Sequence, residues 1–172
     1  DRILRTLEDL VASDPTDASR VTALASEWIA RGEPARAQAL IDSLAHEDSA
    51  EGALAAGRAA IDARLFDAAR THLERANTLA PSNADVLDAS ADLYERMGRS
   101  ADAQRVMQTR LAALDASDAA SHDLEARLVA SWARGGILAE QREPLRTRAN
   151  QGDVRALRLL ADVERRLGDV DA

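Results

Sequence analysis

A helical pattern of apolar residues recurs along this 172-residue chain with a period near 34 residues, and this repeat restricts the fold more than any other feature. Equivalent positions are Ile3, Ala37, Ala69 and Ala103, which are separated by 34, 32 and 34 residues. Periods of about 20–50 residues are typical of repeat architectures, in which each unit packs mainly on its neighbours. We therefore expect one repeated unit and not a single globular core.

Each unit has the sequence pattern of a helical hairpin. Gly32, Gly98, Gly136 and Gly168 each follow an apolar helical run, where a residue in the left-handed conformation can end a helix. A second amphipathic run follows the bend, as in E-P-A-R-A-Q-A-L-I-D-S-L from Glu33. Aromatic residues make up only 2% of the chain, and strand-forming runs of Val, Ile, Tyr and Phe are missing. The chain is therefore predicted to be all-α.

The first helix of each hairpin carries residues at four fixed slots. The slots hold Val21, Leu24, Ala25 and Trp28; Ala53, Ala56, Gly57 and Ala60; Leu87, Ser90, Ala91 and Tyr94; Glu125, Leu128, Val129 and Trp132; and Leu157, Leu160, Ala161 and Glu164. This spacing resembles the pattern W-x2-L-G-x2-Y of the tetratricopeptide repeat (TPR) family. The resemblance implies a right-handed α-solenoid of antiparallel helix hairpins. Short side chains at the third slot, as in Ala25, Gly57, Ala91 and Ala161, let paired helices approach closely.

The repeat boundaries follow from this pattern, and we treat residues 1–172 as a single TPR-like solenoid fragment. Residues 1–17 are predicted to form the second helix of a preceding repeat. Three full repeats are expected to follow at 18–49, 50–83 and 84–117. Residues 118–153 are predicted to form a degenerate repeat, and residues 154–172 the first helix of a truncated repeat. The fourth repeat is irregular, and Pro144 falls inside its expected second helix. There we expect a kink, or a helix with Pro144 as its first residue. A longer parent protein and self-association through exposed solenoid ends are also expected.

The sequence contains no recognisable catalytic motif. It contains no cysteine and no lysine, which excludes disulfides, thiolate metal sites and lysine chemistry. His46 with Glu47 and Asp48 comes closest to a metal-binding cluster, but it falls in a polar link between hairpins, and His72 and His122 are predicted to be solvated. We predict that the chain is not an enzyme and that it binds no cofactor and no metal, since catalysis would need a metal or cofactor for which these residues offer no binding site.

Charge and hydropathy limit the range of partners. Residues 1–95 carry 18 acids and 9 arginines, whereas residues 96–172 carry 12 acids and 13 arginines, for a net charge of −8. Binding to nucleic acid needs a basic surface and is not expected. No apolar stretch reaches the roughly 18–20 residues that cross a bilayer, so this fragment is not expected to insert into a membrane. The expected partners are other proteins.

In the resembled family, the first helices line a concave groove. Four acids recur there at helical spacing in the third full repeat, and four arginines follow in the fifth. The predicted partner-binding groove comprises Asp85, Asp88, Asp92, Glu95, Arg155, Arg158, Arg165 and Arg166. Like charges on adjacent turns repel, and binding is one reason to keep them. The alternative is an ordinary solvated helix face.

A weaker resemblance concerns cellular role. Runs such as G-E-P-A-R-A-Q-A-L-I-D-S-L and L-A-P-S-N-A-D-V-L are similar to the TPR arrays of bacterial exopolysaccharide export proteins of the cellulose synthase type. That resemblance implies a periplasmic assembly scaffold for an exopolysaccharide secretion system, and it favours the periplasm over the cytoplasm. The alternative is a cytoplasmic regulatory or assembly-chaperone module attached to an effector domain outside this fragment.

Overall fold

A computed structural model describes residues 2–45 and 49–170 of the chain, and these residues fold into helices. The predicted link of His46, Glu47 and Asp48 lies outside the described residues. The ten α-helices of the described part are α1 Arg2–Ser13, α2 Ala18–Ala30, α3 Pro34–Asp42, α4 Ala50–Asp62, α5 Phe66–Leu79, α6 Ala84–Arg96, α7 Ser100–Ala112, α8 Ala119–Arg134, α9 Arg142–Asn150 and α10 Val154–Val170. The prediction of an all-α solenoid of helix hairpins is confirmed.

The helices group into two compact units. One unit comprises Asp1–Met97 and the other Gly98–Ala172, and we call them unit 1 and unit 2. The division of residues 1–172 into repeats of a single fragment stays a prediction. Within the described ranges, no helix is both long enough and apolar enough to span a bilayer.

Left-handed residues end the first helices, as the glycine pattern predicted. Gly32, Gly98 and Gly136 adopt φ of 78°, 71° and 70° after α2, α6 and α8. Arg64 takes the same conformation after α4, with φ of 59°. There the N–H of Leu65 donates to the carbonyl of Ala60 at 2.9 Å and covers an open helix end. The bend thus forms without glycine, and the sequence pattern missed it.

Two expectations for the C-terminal part were wrong. Gly168 does not end a helix but lies inside α10, and the bend before α10 is made by Gly152, with φ of 89°. Pro144 is the third residue of α9, not the first, because the helix begins at Arg142 after a 3-10 turn over Ala139–Gln141. A proline in the first turn costs no hydrogen bond, since the N–H groups there have no partner inside the helix.

The core of unit 1 is built from short and branched aliphatic side chains. Ile41, Ala60, Leu73 and Leu93 are buried within it. Gly57 lies against Leu73, so close that a Cβ at this position would sit 2.7 Å from Leu73 Cδ2. Because paired helices approach this closely only over small residues, the tight pairing of α4 and α5 depends on Gly57.

Unit 2 is packed differently around the fourth repeat. α8 packs on α7, whereas α9 packs chiefly on α10 and enters through the 3-10 turn. Leu128, Trp132, Leu145 and Leu159 are buried among these helices. The predicted irregular fourth repeat is therefore confirmed. Ala161, predicted to lie at a close helix contact, is exposed, because no described helix covers that face of α10.

Candidate partner-binding surfaces

Three acids line a cleft between α4 and α6. Its volume is about 320 Å³. The lining carboxylates are Asp62, Asp88 and Asp92, and Arg58 lies at the side. Ile61 and Ala89, both buried, form an apolar floor. We call this feature the acidic cleft, and it contains two of the four acids predicted for the groove.

The local sequence determines where the acids of α6 lie on the helix. Asn83 caps the helix, and its side chain accepts hydrogen bonds from the N–H groups of Asp85 and Val86. Asp85 then lies in the first turn, where the positive end of the helix dipole favours a carboxylate. Asp88 and Asp92 follow one and two turns later, so helical periodicity places them along one side.

The ion pairs of the acidic cleft are exposed to solvent. Arg58 Nη2 donates to Asp85 Oδ1 at 2.9 Å, and Arg96 Nε lies 3.0 Å from Asp92 Oδ2. Arg96 Nη2 is 3.6 Å from Asp62 Oδ1. Exposed pairs of this kind contribute only about 0–1 kcal/mol each.

The arginines predicted for the groove on α10 divide into two kinds. Arg155 is anchored inside unit 2, because its Nη1 and Nη2 donate to the carbonyls of Leu111 at 2.6 Å and Leu114 at 2.7 Å. Arg165 is exposed and pairs with Asp162 at 2.9 Å. Arg166 is also exposed. Arg155 therefore joins α10 to the C-terminal end of α7, a structural role that the charge pattern did not predict.

Glu125 is the buried partner of Arg155 and Arg158, and it was not predicted as a site residue. Its side chain is only 4% exposed. Oε1 accepts from Ser121 Oγ at 2.9 Å, from Arg155 Nε at 3.2 Å and from Arg158 Nη2 at 2.7 Å, while Oε2 accepts from Arg158 Nε at 3.0 Å. A signal was present in the sequence, since Glu125 occupies a first slot that is apolar in the other repeats.

The protonation of Glu125 reflects two opposing effects. Burial raises the pKa of its carboxyl, but hydrogen bonds from Arg158 and Ser121, together with the charges of Arg158 and Arg155, outweigh it. The pKa of Glu125 therefore lies below its ordinary value of 4.5. The hydrogen bonds to Glu125 raise the pKa of Arg158 in turn. The three residues form a charged cluster near neutral pH, which we call the Glu125 network.

The histidines differ from expectation at one position. His72 was predicted to be solvated but is buried, with 8% exposure, because it bridges α5 to α3. Its Nε2 lies 2.8 Å from Asp42 Oδ1. His122 is exposed. Within the described residues, no three His, Cys, Asp or Glu side chains are grouped so as to hold a metal ion.

Comparison with known proteins supports the fold. The chain is similar to the crystal structure of MamA, a TPR-like protein, with a TM-score of 0.53 and 16% sequence identity over 98% of this chain and 90% of that one. At this identity the similarity shows the fold alone. No protein-family model matches the sequence, and no curated protein matches it significantly. Partner binding by the eight predicted groove residues stays a prediction.

Proposed function

We propose that this chain is a non-catalytic protein-interaction scaffold whose acidic cleft binds a basic segment of a partner protein. The TPR-like fold supports the scaffold role. The observation that carries the choice of partner is the acidic cleft, where Asp62, Asp88 and Asp92 surround an apolar floor.

This combination suits an arginine or lysine side chain. Its aliphatic stem can cover Ile61 and Ala89, while its charged end reaches the carboxylates. The existing pairs with Arg58 and Arg96 are solvent-exposed, so exchanging them for a partner's charge costs little. The net charge of −8 of the chain also accelerates encounter with a basic partner at low salt.

Peptide binding to the full chain tests the proposal. The probe is a fluorescein-labelled peptide of alternating arginine and alanine, and its counterpart carries glutamate in place of arginine. We expect fluorescence anisotropy to report binding of the basic peptide only. Binding should weaken by about tenfold when salt rises from about 50 mM to about 300 mM, because exposed charges are screened.

Two double variants with equal loss of charge separate the acidic cleft from net charge. Asp88→Asn with Asp92→Asn should weaken binding by about fivefold or more. Asp67→Asn with Glu74→Gln changes two exposed acids on α5 and should leave the affinity within about twofold. Equal weakening by both double variants would show that the peptide responds to overall charge, and this result would refute the acidic cleft as the binding site.

The cellular setting is a separate part of the proposal. The resemblance of the sequence to exopolysaccharide export arrays supports a periplasmic assembly scaffold for a secretion system. The second candidate is a cytoplasmic regulatory or assembly-chaperone module. Fractionation of native cells, combined with deletion of the gene, distinguishes them. A periplasmic protein whose loss stops polysaccharide secretion supports the first role, and a cytoplasmic protein whose loss leaves secretion intact supports the second.

A further inference from the structure

Unit 2 contains a second cavity, separate from the acidic cleft, among α7, α8, α9 and α10. Its volume is about 410 Å³. The walls are apolar, with contributions from Leu111, Leu128, Trp132, Leu145 and Leu159, each exposed by 4% or less. The irregular fourth repeat accounts for the space, because α9 packs chiefly on α10 after the 3-10 turn. The volume lies within the range of about 300–1,000 Å³ that small-molecule sites occupy.

The polar residues of this cavity have one sign of charge. They are Gln108, Gln141, Arg148 and Arg155, and no Asp or Glu is found among its described lining residues. Arg148 binds Asp153 Oδ2 through Nε at 3.0 Å and Nη2 at 2.7 Å. Its Nη1 makes no hydrogen bond to any described residue.

The acids that pair with the two arginines of this cavity lie outside its lining. Arg148 pairs with Asp153, and Arg155 pairs with Glu125, which also binds Arg158. The described lining therefore presents two guanidinium groups and no carboxylate to the apolar chamber. An amphipathic anion fits this combination, since its apolar part can occupy the chamber and its charge can approach the guanidinium groups.

We propose that this cavity binds a small amphipathic carboxylate of the medium-chain fatty acid type. The alkyl chain contacts the leucines and Trp132, and the carboxylate accepts hydrogen bonds from the Arg148 guanidinium and the glutamine amides. Arg155 is held in place by backbone carbonyls and contributes mainly its charge. The site shares no lining residue with the acidic cleft.

Titration of the full chain with monomeric decanoate tests the proposal. In a Trp28→Phe background, Trp132 is the sole tryptophan and reports occupancy of the cavity. Calorimetry on the unsubstituted chain provides a second readout that does not depend on the tryptophan change. We expect saturable binding of one decanoate per chain, and decanol, which lacks the carboxylate, should bind about fivefold more weakly or worse. Failure to saturate, or equal binding of decanol, would overturn the proposal.

Variants at the cavity provide the matched comparison. Arg148→Gln should weaken decanoate binding by about fivefold, whereas Arg146→Gln, which removes another ion-paired arginine of α9 that does not line the cavity, should stay within about twofold. Ala112→Phe places a ring in the cavity from α7 and should abolish binding without removing a core side chain. Equal losses in the two arginine variants, or full binding in Ala112→Phe, would count against this site.

Discussion

At the scale of single residues, Glu125 combines burial of a carboxylate with ion pairs that compensate for it. It stands in a helix slot that is apolar in the other repeats, yet two arginines and a serine bind it. A buried ion pair broken on one side leaves uncompensated charge, which costs about 3–5 kcal/mol when both partners are fully buried. Because Arg158 is 31% exposed, we expect Glu125→Gln to lower the free energy of unfolding of unit 2 by about 2–3 kcal/mol at neutral pH.

The pH dependence of this loss has a definite sign. The pKa of Glu125 is depressed in the folded state, so its stabilisation is complete above 4.5 and disappears as pH falls through the folded pKa. Urea unfolding followed by Trp132 fluorescence in the Trp28→Phe background should show a constant difference between parent and variant from neutral pH to about 5, and a shrinking one below. Glu164→Gln, which removes a partly exposed acid paired with Arg142 and Arg146, should cost about 1 kcal/mol or less. A difference for Glu125→Gln that grows on acidification would contradict the assigned role.

Arg64 offers a stabilising change. Its φ of 59° lies in the left-handed region, which costs an L-residue about 1–2 kcal/mol relative to glycine. Glycine adds freedom to the unfolded chain, which offsets part of the gain. We therefore expect Arg64→Gly to raise the free energy of unfolding of unit 1 by about 0.5–1 kcal/mol, measured with urea.

The corresponding bend after α2 provides a reverse control at Gly32. A Cβ at Gly32 meets no atom within 4 Å, so Gly32→Ala changes only the backbone preference. It should destabilise unit 1 by about 1 kcal/mol. If Arg64→Gly destabilises instead, contacts of the Arg64 side chain outweigh the backbone strain.

At the scale of helices, sequence reasoning identified the hairpins and missed the details that depend on contacts. Apolar periodicity and glycine spacing predicted the helical repeats, because both are local signals. The bend at Arg64 was missed, since an arginine in the left-handed region has no signature of its own. The partners of Glu125 lie 30 and 33 residues away, about one repeat further on, so only the fold brings them together. The burial of His72 likewise depends on its contact with α3.

Helix pairing in unit 1 depends on Gly57. Adding a methyl group places it 2.7 Å from Leu73 Cδ2, and Leu73 is 2% exposed, so the side chain has little room to move. Overpacking of this kind costs about 1–3 kcal/mol. We expect Gly57→Ala to lower the free energy of unfolding of unit 1 by that amount in urea titrations followed by Trp28 fluorescence in a Trp132→Phe background.

A second glycine distinguishes overpacking from helix propensity. Gly168 also lies in a helix, but its added Cβ meets nothing within 4 Å. Gly168→Ala should therefore stabilise by up to about 1 kcal/mol, as alanine does in an open helix. The cost of Gly57→Ala should also fall in a Leu73→Val background, which makes room for the methyl group. An unchanged cost in that background would show that Leu73 is not the obstacle.

At the scale of the whole molecule, composition and period predicted the fold class but not the two units. The period continues across Met97 without a change in spacing, so nothing in it marks a boundary there. The same holds for charge. The acidic cleft lies in the half of the chain with an excess of acids, but the arginines of the second half are partly internal, because Arg155 and Arg158 bind Glu125. The net charge counted from a sequence describes the protein surface only where the charged side chains are exposed to solvent.

Exposed apolar residues on α1 and α10 predict weak self-association of this chain. Ile3 is 64% exposed on α1, and Val154 and Leu157 are each 59% exposed on α10. Burial of such side chains favours association, whereas the net charge of −8 opposes it, so added salt should strengthen the contact. We expect sedimentation velocity at about 0.5 M salt to show dimers with a dissociation constant on the order of 100 µM, or about −5.5 kcal/mol. Leu157→Glu should abolish them, while Leu79→Glu on α5, also at an exposed leucine, should not; a chain that stays monomeric at several times that concentration would refute the prediction.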